Sequence, residues 1–175
     1  MDEAFIKKVQ PNSPEAEQSV IGAMIMDRDA IADVIDIVSA DDFYQKQNGI
    51  LFEAMTELYR EGKPVDLVTL QNKLKKKDVP ESMKSLEFIR DLLEAVPTSA
   101  NAKQYAKIVS EKATLRKLIK VTEDITTECY LGKDDVTEIL DHTEKNVFGL
   151  LQQASGREDF VPIDKVVLNT LDAIE

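Results

Sequence analysis

Apolar residues along this chain recur at intervals of three and four rather than two, and helix-starting or helix-stopping residues separate the runs. The stretch SPEAEQSVIGAMIMD opens a first helix. Ser13 is a good N-cap, Pro14 fits the first helical position where its missing N–H would be unsatisfied anyway, and Glu15 and Glu17 suit the positive end of the helix dipole. Ala16, Val20, Ile21, Ala23 and Met24 form the apolar stripe. Gly22 beside them gives up about 1 kcal/mol of helix propensity, which close packing against another helix would explain. Asp27 caps a second helix over 27–40, which ends before the loop DDFYQ. A third over 46–62 closes on Gly62, and Asp66 caps a fourth that stops at Val79-Pro80. A fifth runs over 82–96 and ends at Pro97. Five short helices with local connections predict a compact head over 13–99, preceded by an extended arm over 1–12.

The texture then changes, because residues 102–130 carry one helical pattern longer than the roughly 8 to 20 residues usual in globular domains. Tyr105, Ile108, Val109, Ala113, Leu115, Ile119 and Ile125 supply its apolar positions. After the turn LGKDD, Val136, Ile139, Leu140, Thr143, Val147, Leu150 and Leu151 approximate a seven-residue seam. The two segments predict an antiparallel hairpin over 100–153, whose second face needs the head or another chain to cover it. A small, charged linker over 154–163 leads to an amphipathic helix over 164–175. Its flank at Ile163 and its positions Val166, Val167, Leu171 and Ile174 have no further domain to pack against, so the chain reads as the front of a longer protein. No stretch alternates over a strand length, and the expected class is all-α.

Composition narrows the function. The 175 residues carry a formal charge of −11, which repels phosphate on average and favours a protein partner over direct nucleic-acid binding. A lone cysteine, Cys129, forms no internal disulfide, and no apolar leader or span is present, so a cytoplasmic protein with no membrane partner is expected. His142 is the single histidine, which excludes a multi-histidine metal site; with Asp141 and Glu144 it reads as a solvated face. Cys129 reads as either a small buried hydrophobe or a thiol without partners. No glycine-rich phosphate loop occurs, and no catalytic, cofactor or metal site is expected in these residues. Lys73, Lys75, Lys76 and Lys77 read as cations at a helix C-terminus before they read as a nucleic-acid patch, since no aromatics interleave them.

Taken in order, AEQSVIGAMIMD, DDFY, GKPVDLVTL, AVPTSANAKQYAKIV and EKATLRKLI resemble the N-terminal portion of the bacterial replicative DNA helicases, the DnaB family. FVPIDKVVLNTLDAIE looks like the linker helix before that family's ATPase domain. The resemblance implies a collar domain that forms a dimer, or a trimer of dimers within a hexameric ring, above motors that translocate on single-stranded DNA. It implies recruitment of primase through its C-terminal helicase-binding domain at the replication fork, in the bacterial cytoplasm and near the nucleoid. The ATP-dependent 5′–3′ helicase activity, the ATP and Mg2+ it uses, and most contact with single-stranded DNA and helicase loader would belong to the absent C-terminal domain. Carried over residue by residue, the primase surface would include Phe88, Ile119 and Ile125, each of which also fits core or subunit contact. Ile163, Val166, Val167 and Leu171 would pack the linker helix. A rival reading is a small DNA-binding regulator of helix-turn-helix type, against which the acidic balance weighs.

Overall fold

The computed structural model describes residues 9–94, 101–133 and 135–155. Among these residues the chain forms seven α-helices, two short 3-10 turns and no strand, as the apolar periodicity requires. The arm before residue 9, the Pro97 stop, the linker from residue 156 and the final helix with Ile163, Val166, Val167 and Leu171 lie outside the described residues.

Local chemistry sets most boundaries. Ser13 Oγ accepts the Ala16 amide at 3.4 Å and starts α1, Pro14–Met26. Asp27 ends α1 with its amide on the Ala23 carbonyl and starts α2, Arg28–Ile35, with its carboxylate on the Asp29 amide at 2.9 Å. One residue therefore serves both helices with no loop between them. α2 stops before the expected residue 40, because the amides of Ile37 and Val38 both return to the Val34 carbonyl. The Asp42 carboxylate then accepts the Ser39 amide and hydroxyl, each at 2.9 Å, and closes a 3-10 turn, Ala40–Asp42, within the predicted loop.

α3, Lys46–Arg60, ends at Gly62, whose φ of +70° is the left-handed conformation expected there. Asp66 and Thr69 exchange side-chain and backbone hydrogen bonds in a capping box that opens α4, Leu67–Lys75. The expected fifth helix is two elements: a 3-10 turn, Glu81–Lys84, and α5, Leu86–Glu94. Ser85 separates them, its backbone extended and its hydroxyl accepting the Phe88 amide at 3.1 Å. α6 is the long helix, Ala102–Leu131, and α7 spans Val136–Ser155.

The chain divides into two compact units, one ending at Ile119 and the other beginning at Lys120. In the first, α1 packs on α2, α3 and α5, and α4 packs on α3 and α5. Val20, Ile21 and Met24 of α1, Ile31 and Val34 of α2, Leu51 and Met55 of α3, Leu70 and Leu74 of α4 and Ile89 of α5 are buried together. Each such side chain contributes about 1.5–3 kcal/mol relative to exposure. Gly22 is buried in the same face of α1. α6 joins the first unit through small residues at helical spacing: Ala102, Ala106, Val109 and Ala113 are buried.

The second unit differs in kind. Gly132, at φ +55°, turns the chain after α6, and His142 Nδ1 of α7 lies 2.9 Å from Glu128 Oε1 of α6, so α7 folds back along it. None of its described residues reaches the buried class. This hairpin has no enclosed core.

A buried carboxylate organises the head. Glu17 is 1% exposed, and it accepts the Tyr44 amide at 2.6 Å and the Gln45 amide and Asn48 side-chain NH2 at 3.1 Å each. Glu17 lies in the first turn of its own helix as the sequence indicates, and it also accepts the Tyr44 and Gln45 amides that lead into α3.

Two results follow for thermal or urea unfolding. Glu17→Ala removes the acceptor of three N–H groups and is expected to destabilise the head by at least about 2 kcal/mol. A Cβ at Gly49 would lie 2.6 Å from the Ala40 carbonyl oxygen, whereas one at Gly149, inside α7, meets nothing within 4 Å. Gly49→Ala should lower stability by about 1–3 kcal/mol, and Gly149→Ala should raise it by about 0.5–1 kcal/mol through helix propensity.

Candidate interaction surfaces

The described residues present charged and apolar surfaces. No group of three or more His, Cys, Asp or Glu among them is arranged to hold a metal ion. No helix searched among them is long and apolar enough to cross a membrane. His142, read from sequence with Asp141 and Glu144, instead pairs with Glu128 of the facing helix. Cys129 is exposed, so its reading as a small buried hydrophobe is corrected.

The lysine cluster also meets carboxylates. Lys73 Nζ lies 2.9 Å from Glu57 and 2.6 Å from Glu61, and Lys77 Nζ lies 2.8 Å from Glu53 and 2.7 Å from Glu57. With Lys63 on Glu61 at 2.7 Å, charges alternate along the contact of α3 and α4. Lys73 stands in the last turn of α4, as expected, and both Lys73 and Lys77 are in addition engaged by carboxylates of α3 and its end. Hydrogen bonds from Lys63 and Lys73 hold the Glu61 carboxyl down to about 2, and those from Lys77 and Lys73 lower Glu57. Lys73 is raised in return by Glu61 and Glu57. For Lys77 burial works downward, and the bonds from Glu53 and Glu57 outweigh it to leave the group raised.

Exposed apolar side chains concentrate on the hairpin. Val136, Leu140, Phe148 and Leu151 of α7 are 68%, 63%, 58% and 59% exposed, and Tyr130 at the end of α6 is 89% exposed. Along the predicted seam, Ile139, Val147 and Leu150 are half-buried while Val136, Leu140 and Leu151 are open. One flank of the stripe is sheltered and the other faces outward.

The three residues singled out for a partner are all half-buried. Phe88 of α5 packs on the head core beside Ile89, which is fully enclosed. Ile119 closes the first unit on α6, and Ile125 lies on α6 in the second. Sequence reasoning missed Glu17, buried Asp42, and the Arg116 and Lys117 pair that holds the Asp42 turn. Lys117 Nζ donates to Asp42 Oδ1 at 2.8 Å, and Arg116 donates to the carbonyls of Asp42 and Pro11 at 2.6 Å each. No local pattern could have signalled them, since the groups that pair lie 27 to 105 positions apart in the chain.

Short helices around an enclosed core, followed in the chain by a helix with an outward apolar edge, define an all-helical domain. A family model described as the DnaB-like helicase N terminal domain matches residues 9–111. The chain belongs to that family. The replicative DNA helicase DnaB of Geobacillus stearothermophilus is 34% identical over 175 residues, covering 100% of this chain and 38% of that protein. The crystal structure of the N-terminal domain of DnaB helicase from Mycobacterium tuberculosis matches with a TM-score of 0.77 at 34% identity, over 81% of this chain and 99% of that one. The N-terminal domain of DnaB helicase from Helicobacter pylori, whose structure is described with its interactions with primase, shares the fold with a TM-score of 0.58 at 23% identity, over 74% and 99% of the two chains. The chain thus spans 38% of the length of the Geobacillus relative. The family match sets aside the helix-turn-helix regulator.

The charge ladder makes an acid prediction. The folded Glu61 value lies below the ordinary 4.5, so its contribution is complete above 4.5 and is lost as pH falls through about 2. Urea midpoints measured from pH 5 to 2 should fall for the native chain, and Glu61→Gln should make that fall shallower.

Proposed function

We propose that this chain is the collar domain of a hexameric replicative DNA helicase, where it builds the ring through copies of itself and receives primase. The observation that carries the reading is the outward apolar edge of α7, in the unit that begins at Lys120, where none of the described residues is buried. An apolar strip of this kind in water favours a second apolar strip. A dimer formed through paired hairpins, repeated as a trimer of dimers, would cover it. Membership of a helicase family supplies the biological setting.

Primase is the second partner, by analogy with the Helicobacter pylori domain described with that protein. Phe88, Ile119 and Ile125 are the proposed contacts for its C-terminal helicase-binding domain. Half-burial suits the role, since such side chains are held by the fold and still present apolar surface. The head covers 13–99 and the hairpin 100–153 in this reading, and the linker helix at 164–175 packs through Ile163, Val166, Val167 and Leu171. Nucleotide chemistry, with ATP and Mg2+, strand translocation and loader contact are assigned to the remaining part of the full-length helicase. Nothing in these 175 residues has a phosphate-loop pattern to hold a nucleotide. The bacterial cytoplasm, close to the replicating nucleoid, is the proposed location.

Calorimetric titration with the helicase-binding domain of primase from the same source tests the partner. Native chain should bind, and Phe88→Asp, once shown to fold, should weaken binding by about 2 kcal/mol or more if Phe88 is a central contact. Unchanged affinity in the folded variant would remove Phe88 from the interface. No binding to native chain, alone or within the full-length ring, would refute the primase assignment.

A further inference from the structure

Asp42 to Gln45 is gripped from two sides. From α1, the Glu17 carboxylate takes the amides of Tyr44 and Gln45. From α6, Arg116 Nη2 donates to the Asp42 carbonyl at 2.6 Å, its guanidinium carbon stands 5.7 Å from the centre of the Tyr44 ring, and Lys117 holds the Asp42 carboxylate. The other guanidinium nitrogen, Nη1, donates at 2.6 Å to the carbonyl of Pro11, a residue of the N-terminal arm 105 positions earlier in the chain. One rigid, half-buried cation therefore joins the arm to the segment that leads into α3.

A guanidinium is planar and its donors are fixed in relation to one another. Two carbonyl acceptors define the orientation of that plane, and its stacking on Tyr44 depends on the same orientation. Withdrawing Pro11 leaves Nη1 without its carbonyl and frees the plane to turn, which weakens the bond to Asp42 and the contact with Tyr44. We infer that Arg116 is a coupling strap: occupancy of the arm site and rigidity of the segment before α3 rise and fall together. Coupling of this kind is reciprocal, so a partner that pulls the arm away loosens the start of α3, and one that fixes Tyr44 tightens the arm.

Amide hydrogen exchange at Tyr44 and Gln45, read by NMR, tests this in a four-way comparison of native chain, a variant lacking residues 1–11, Arg116→Gln, and both changes together. The Met55 amide, in the enclosed part of α3, reports whether the head stays folded. Deleting the arm should lower protection at Tyr44 and Gln45 about tenfold, the scale of one charge-assisted hydrogen bond. Arg116→Gln should lower it similarly, and deletion should add nothing in the Arg116→Gln background. Unchanged protection on deletion would overturn the proposal, as would an equal loss with and without Arg116. Should Arg116→Gln fail to fold, Arg116→Lys keeps the charge but cannot span two carbonyls in a plane, and the same outcomes apply.

Discussion

The head rests on one carboxylate taken out of water. Glu17 stands at 1% exposure because the amides of Tyr44 and Gln45 and the side chain of Asn48 satisfy its oxygens, and those amides in turn have no helical acceptor of their own. The exchange fixes α1 against the start of α3. Once these helices are placed, Val20, Ile21 and Met24 meet Leu51 and Met55, and the remaining short helices close over them. Without those donors the enclosed carboxylate would bear a desolvation cost larger than any single contact in the core.

The same logic separates the two units. The first encloses its apolar residues and answers its buried charges internally: Glu17 by amides, Asp42 by Ser39 and Lys117. The second has neither an enclosed residue nor a buried charge among those described. Its helices are held together by half-buried contacts and by the exposed pair of His142 and Glu128, a kind of interaction worth about 0–1 kcal/mol. A hairpin of this kind gains most of its stability from what it packs against. That requirement connects the fold to a ring-forming role.

What could be read from the residues alone follows the range of the forces involved. Ser13, Asp27, Gly62 and Asp66 act within four residues of themselves, and the helix ends they mark are where the structure has them. The long helix and the hairpin were legible because their apolar spacing persists over many turns. Errors arose where a distant group decided the outcome. Glu17 looked like a dipole residue alone because its donors lie 27 to 31 positions away. Lys73 and Lys77 looked like a C-terminal cluster alone until α3 and its end supplied Glu53, Glu57 and Glu61. Ser85 passed for a helical residue although its hydroxyl restarts the chain. The outward edge of α7 was foreseeable as an uncovered face, and its flank at Leu140 and Leu151 was not, since the seam pattern treats both sides alike.

The central claim is that the head is complete alone and the hairpin is not. Sedimentation equilibrium of the chain across a hundredfold concentration range, with Leu140→Asp and Leu151→Asp beside the native sequence, tests it most directly. The native chain should assemble beyond a monomer with rising concentration, and the variants should remain monomeric while keeping the helical content and unfolding midpoint of the head. A native chain that stays monomeric throughout, or variants that assemble as it does, would contradict it.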